Sequence, residues 1–300
     1  MRFLRLLAST PLLASALVAA PAAHALPTPE PSPSPAAVAP YPQLVDVRAV
    51  HRGGVDRVVF RFDAGAPSRL DVRFVDRLVA DGSGRRMRIA GRAILQVGMS
   101  HTRTDVVGTA PRRRAFALPN VMTAVRSGLF EGWTTYGVGL ARRTQVDVLR
   151  EPARNRVVVA IRAGFATVDR EVFFLDRDRF VANQEPFFVS RVRPVPLGSP
   201  AAGVLDRLFA GPLDRERRSG LRLVRSRATG FTDLAISDGI ARVTLLGRCS
   251  SGGSTVTVAG EIMPTLRQFD SVDWVKVLDP SGTTADPTGS TDSVPDCLNP

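Results

Sequence analysis

Residues 199–245 constrain the fold more than any other stretch of this chain. They read Ser-Pro-Ala-Ala-Gly-Val-Leu-Asp-Arg-Leu-Phe-Ala-Gly-Pro-Leu, then a charged segment closed by Gly220-Leu221, then two alternating runs around Asp238-Gly239. Serine is a favoured N-cap and proline suits a first helical turn, so Ser199 and Pro200 predict a helix that Gly211-Pro212 stops. Val204, Leu205, Leu208 and Phe209 fall on one side of it. Asp-Gly between the runs at 234–236 and 241–245 predicts a hairpin. No obvious nucleophile, metal ligand or phosphate loop sits inside the segment, so it reads as architecture.

The surrounding pattern extends that architecture. A buried-type strand with Val172, Phe173 and Phe174 is expected at 171–175. A second helix is expected over about 255–268, with Val256, Ala259, Ile262, Met263 and Leu266 inward and Pro264 bending or breaking it. A last strand is expected at 272–278. The order β-α-β-β-α-β implies helices packed on a small mixed sheet, an α+β domain over 168–280. A tail at 281–300 follows, rich in Pro, Gly, Ser, Thr and Asp. The two cysteines, Cys249 and Cys297, predict a disulfide in an oxidising compartment, pinning the tail beyond the hairpin. A closed loop of that length stabilises a fold by roughly 4 kcal/mol in the chain-entropy model.

The other half has a different grammar. Arg2 and Arg5 precede an apolar run and an Ala23-His24-Ala25 cleavage site, so residues 1–25 read as a secretory signal peptide. No cysteine stands directly after that site, which argues against a lipid anchor, and no later segment reaches membrane-spanning length. Residues 26–42 form a proline-rich linker that cannot bury a core. From Leu44 the period becomes two: Val45, Val47 and Ala49, then Val58 and Phe60, then Leu70, Val72 and Phe74. Asp81-Gly82-Ser83-Gly84 marks a turn. Strands are expected around Met87 and Ile89, at Ile94, Leu95 and Val97, and at 134–140, 144–149 and 156–161, with a short helix at 121–127. Many short strands with turns between them predict an all-β sandwich or barrel over 43–163. Charge divides along the same line. Residues 43–163 hold 22 Arg against 10 acids, a net of +12, whereas residues 164–300 hold 15 Arg and Lys276 against 17 acids, a net of −1.

Two families resemble these halves. Leu208-Phe209-Ala210-Gly211-Pro212, Arg218-Ser219-Gly220-Leu221 and the run from Ser237 through Asp238-Gly239 to Leu245 look like the GerMN, or sporulation and spore germination, domain. Leu266-Arg267-Gln268-Phe269 and Val272-Asp273-Trp274-Val275 are similar to its closing helix and strand. The run from Gly247 through Cys249 to Gly253 departs from simpler members and looks like a subgroup with a stapled tail. The run from Asp56 through Val58 to Phe62, with Val75-Asp76, Asp81-Gly82-Ser83-Gly84 and Gly137-Val138-Gly139-Leu140, resembles the AMIN-like domain of exported actinobacterial proteins. The pair implies a wall-targeting β-sandwich joined to an assembly module of the cell envelope, with no enzymatic reaction and no cofactor.

Residue chemistry agrees. His51 and His101 match no short metal motif. Ser83 lacks the setting of a hydrolase nucleophile. Glu131, Asp147 and Glu151 cannot be assigned to one cleft from sequence, so an unrecognised wall hydrolase stands as the rival reading. The ligand-binding candidates are Arg112, Arg113 and Arg114, whose guanidinium forks suit phosphate or carboxylate, and Trp133 and Tyr136, whose faces suit sugar rings. For an exported basic chain the expected partner is an anionic cell-wall polymer or peptidoglycan rather than nucleic acid. The second domain is expected to dock an envelope protein or another copy of itself; a pure assembly module without wall binding is the further alternative.

Overall fold

In the computed structural model, which describes residues 41–103 and 108–300, the alternation seen from Leu44 turns directly into strand pairing. The signal peptide and nearly all of the proline-rich linker lie outside the described residues. Nine strands follow: β1 (Leu44–Arg52), β2 (Val55–Phe62), β3 (Arg69–Val75), β4 (Ala93–Ser100), β5 (Arg113–Ala115), β6 (Val121–Phe130), β7 (Trp133–Leu140), β8 (Val146–Glu151) and β9 (Arg156–Arg162). They make two antiparallel sheets, ordered β1-β2-β9-β8 and β3-β4-β7-β6-β5. Val47, Val58, Phe60 and Val159 of the first sheet and Val97, Val138 and Leu140 of the second are fully buried in a shared core. The expected sandwich is therefore present, and each such side chain contributes about 1.5–3 kcal/mol of burial.

Two local expectations give way. Residues 121–127 belong to β6, not to a helix. Val121, Thr123 and Val125 are β-branched, and the strand lies between β5 and β7 with both faces covered. That double burial removed the alternation that identifies a strand. Met87 and Ile89 lie outside any strand; Val79 and Arg86 form only an isolated bridge beside them.

The second half adds β10 (Thr167–Asp176), α1 (Arg177–Val181), β11 (Phe188–Pro196), α2 (Pro200–Ala210), α3 (Asp214–Arg218), β12 (Leu221–Arg222), β13 (Ala228–Ser237), β14 (Ile240–Gly247), α4 (Val258–Arg267) and β15 (Trp274–Leu278). One sheet is ordered β11-β10-β12; the other, β13-β14-β15, is mixed, its last pair being parallel. Helices α2 and α4 pack on each other and on strands of both sheets, so this half is α+β, as its punctuation predicts. The strand β11 was not foreseen. Its sequence, Phe-Val-Ser-Arg-Val-Arg-Pro-Val-Pro, hides the period, and its prolines are tolerated because the strand is an edge.

Helix α2 begins at Pro200 and ends before Gly211, whose φ of 91° suits glycine and whose N–H reaches the Arg207 and Leu208 carbonyls. Ser199 stands at the N-cap, yet its side chain makes no capping bond. Helix α4 does not break at Pro264 but continues to Arg267. The Cys249–Cys297 disulfide is formed, with Cα atoms 5.6 Å apart. The tail also pairs with β15: Val277 N–H donates to Ser293 O at 2.9 Å and Ser293 N–H to Val275 O at 3.1 Å. The buried Lys276 ammonium donates to Thr288 O at 3.0 Å. Among the described residues, no helix is long and apolar enough to cross a membrane.

Candidate functional site

Two glycines of β7 position the site. A Cβ on Gly137 would come within 2.6 Å of the Leu78 side chain, and one on Gly139 would overlap the Ala90 carbonyl oxygen. Their absence of side chains lets the segment between β3 and β4 lie flat against the sheet. That segment carries Arg85, Arg86 and Arg88 to the flank of β5 and β6, where Arg112, Arg113 and Arg126 stand. The six arginines line one cleft of about 750 Å³, together with Met87, Val125, Ser127, Gly128, Leu129 and Thr229. Among the described residues no carboxylate lines this cleft, and none of the six makes an ion pair. Arg92, Arg156, Arg193, Arg217 and Arg267, by contrast, each pair with an acid.

Arg113 is the most confined of the group. Burial, and then the guanidinium groups of Arg225, Arg88 and Arg217, push its pKa down to about 10. It donates to the Arg88 carbonyl. At neutral pH it is still charged, surrounded by like charge, and a bound anion would relieve both the desolvation and the repulsion.

The sequence candidates do not all converge here. Arg112 and Arg113 join the cleft; Arg114 does not. Its Nε donates to Asp214 at 2.7 Å, and its Nη1 to Asp46 at 2.8 Å and Val47 O at 2.6 Å, so it ties the two halves of the chain together. Trp133 and Tyr136 are three residues apart on one strand and therefore face opposite sides. Trp133 is 37% exposed and lies over Gly98 in a shallow groove of about 270 Å³ with Phe130, Asp71, Asp81, Gln96 and Glu131. Tyr136 is fully buried, donates to Pro111 O at 2.7 Å, and has its pKa pushed up to about 12 by burial. It offers no face to a sugar. Of the other carboxylates, Glu151 accepts from Arg156 at 2.5 Å and is held low by that bond, remote from Glu131 in its groove. His51 Nδ1 lies 2.6 Å from Asp56, and His101 Nδ1 lies 2.7 Å from Ser68 Oγ. No group of three or more metal-ligating side chains occurs among the described residues.

Sequence reasoning missed Arg85, Arg86, Arg88 and Arg126. The Arg-Arg-x-Arg run directly after Asp81-Gly82-Ser83-Gly84 was an available signal, but its proximity to Arg112 depends on the sheet. It also missed Arg207, on the polar side of α2. That guanidinium is fully buried and donates to four carbonyls of the β5–β6 connection: Phe116 at 3.4 Å, Val121 at 3.3 Å, Leu118 at 2.5 Å and Pro119 at 3.0 Å. Burial lowers its pKa to about 9, with Asp206 and Asp56 acting in the other direction. Asp56 holds the same connection from beneath, accepting the Asn120 and Val121 N–H groups at 2.7 and 2.8 Å. Met122 and Ala141 of the sandwich pack with Ala210 of α2. The two halves thus share a fixed joint.

A second cleft, of about 740 Å³, adjoins the first along the segment between β3 and β4. Arg77, Arg86, Arg88, Arg92 and Arg143 line it from the sandwich; Asp206, Phe209, Thr229, Phe231 and Leu246 line it from the α+β half. Asp206 is paired with Arg92 at 2.9 Å.

Comparison with known proteins bears on both halves. Residues 42–163 match the AMIN-like domain family, a cell-wall-binding type of module that is not catalytic. No curated protein matches the chain. A solved structure of the tandem GerMN domains of the sporulation protein GerM from Bacillus subtilis is similar at 21% identity, covering 45% of this chain and 46% of that one, with a TM-score of 0.28. The chain thus spans about half the length of that structure.

Proposed function

We propose that this chain is an exported, non-catalytic protein of the cell envelope that holds an anionic wall polymer in its arginine cleft. The observation that carries this reading is the gathering of six arginines, from three separate segments, around one cleft without a carboxylate among the described residues. Like charges held together cost free energy in the empty protein, and an anion bound by guanidinium forks reverses the sign. The AMIN-like match of residues 42–163 supports a wall-associated setting, and the disulfide is compatible with an oxidising compartment. The α+β half docks an envelope protein or a second copy; Val192 on the edge strand β11 and the adjacent Leu197 are exposed and supply apolar contact for it.

Co-sedimentation of the chain with purified cell wall across a salt series tests the reading. Binding should be retained at low ionic strength, fall with salt, and weaken when Arg112 and Arg113 are replaced by Gln. Failure to sediment at low salt, or indifference to both replacements, would overturn it.

A further inference from the structure

We infer that the anionic ligand crosses the joint between the two halves, as a linear polyanion of many repeats, and that the α+β half forms one wall of its path. This deepens the arginine-cleft reading and rests on it. The two clefts are not separate sites: Arg86, Met87, Arg88 and Thr229 line both of them. Each has the volume of a pocket for a drug-sized molecule, about 300–1,000 Å³, so a single phosphate or carboxylate leaves most of either one unfilled.

Arginines outnumber carboxylates along the path: the second cleft is lined by Arg77, Arg86, Arg88, Arg92 and Arg143 against Asp76 and the Arg92-paired Asp206. Beyond the shared arginines, the second cleft adds Arg77, which is exposed and makes no ion pair among the described residues, and Arg143, stacked on Phe74. Charge spread along a groove matches charge repeated along a chain. The facing wall comes from β13, β14 and α2, through Thr229, Phe231, Leu246 and Phe209. It is held in register with the sandwich by Arg207 and its four carbonyl partners, so a polymer meets a groove that is already formed. The α+β half then has two uses, docking a protein and closing the polymer path.

Inorganic phosphate, tripolyphosphate and long-chain polyphosphate are the probes, titrated into the full chain. Leu246, on the far wall, is 43% exposed, and Leu246→Glu adds a carboxylate there; Leu246→Gln controls for shape, and Arg77→Gln removes charge from the far end. Long-chain polyphosphate should show a steeper dependence of affinity on salt than tripolyphosphate. Leu246→Glu and Arg77→Gln should weaken the long chain by about 3- to 10-fold, leaving tripolyphosphate unchanged and Leu246→Gln close to wild type. If both variants bind the long chain as wild type while Arg112→Gln weakens it, the ligand stays in the first cleft and the inference is overturned, with the cleft reading intact. If no polyphosphate binds, or Arg112→Gln has no effect, the cleft reading falls and takes this inference with it. Unfolding midpoints of each variant show whether a loss of binding is a loss of fold.

Discussion

Arg207 and Arg113 are both confined guanidinium groups with lowered pKa values, yet their surroundings are opposite. Arg207 donates to four backbone carbonyls, and two carboxylates stand near enough to favour its charge. Arg113 donates to one carbonyl and faces three more guanidinium groups. The first arrangement satisfies both terminal nitrogens within the protein and leaves only the buried Nε without a partner among the described residues; the second leaves its charge facing like charge, which the proposed anion would offset. A buried arginine is therefore not informative by itself. What surrounds it separates a structural clasp from a binding site.

The sharpest way to break this comparison is to remove Arg207. Arg207→Met should lower the unfolding free energy by about 3–5 kcal/mol, because it strips donors from buried carbonyls at the joint. Urea denaturation measures it, and a loss below 1 kcal/mol would mean that the clasp contributes little. Replacing Cys249 and Cys297 with Ser should cost about 4 kcal/mol by the loop-closure argument. It should leave polyphosphate affinity unchanged, since neither cysteine lines a cleft; a parallel loss of affinity would show that the tail supports the site.

A smaller effect involves Glu261, which accepts the Leu175 and Val224 N–H groups at 3.0 Å each. Burial holds its carboxyl well above the ordinary value of 4.5, against those two donors and Arg225. The folded chain keeps a proton that the unfolded chain releases, so this contribution is fully present below pH 4.5 and is lost as pH rises through the raised value. Glu261→Gln should flatten that slope in denaturation midpoints taken across pH, at a cost of about 1–3 kcal/mol for the weakened acceptor. An unchanged slope would place the proton elsewhere. The smallest change has the opposite sign. Arg113→Gln should leave the anion-free protein as stable as wild type or up to about 1 kcal/mol more stable, because it relieves repulsion among guanidinium groups. A clear destabilisation would erase the distinction from Arg207.

Much of the α+β half was legible because its turns are chemically explicit. Ser199-Pro200 and Gly211-Pro212 bracket α2, and Asp238-Gly239 joins β13 to β14. The sandwich was legible wherever one strand face met solvent and the other met the core, as in β2. It became illegible at β6, where burial on both faces left Val-Met-Thr-Ala-Val without a period. The candidate site was half legible for a different reason. Adjacent arginines draw the eye, but strand geometry sends Arg114 to the joint and leaves Arg112 and Arg113 with Arg85, Arg86, Arg88 and Arg126, residues far from them in sequence. Trp133 and Tyr136 were separated by the same alternation. Arg207 was hidden because the polar side of an amphipathic helix is expected to face water, and here it faces the other half of the chain.

The tail has a consequence beyond stability. Strand β15 ends its sheet, and an uncovered edge strand offers its backbone to any neighbouring chain. Ser293 occupies that edge by pairing on both sides of Lys276, while the disulfide and the buried ammonium hold the tail in place. The oxidised tail is thus a guard strip against unwanted association. In a chain without the Cys249–Cys297 bond, the strip would rest on the Ser293 backbone pairs, Asp292 and the Lys276 ammonium alone.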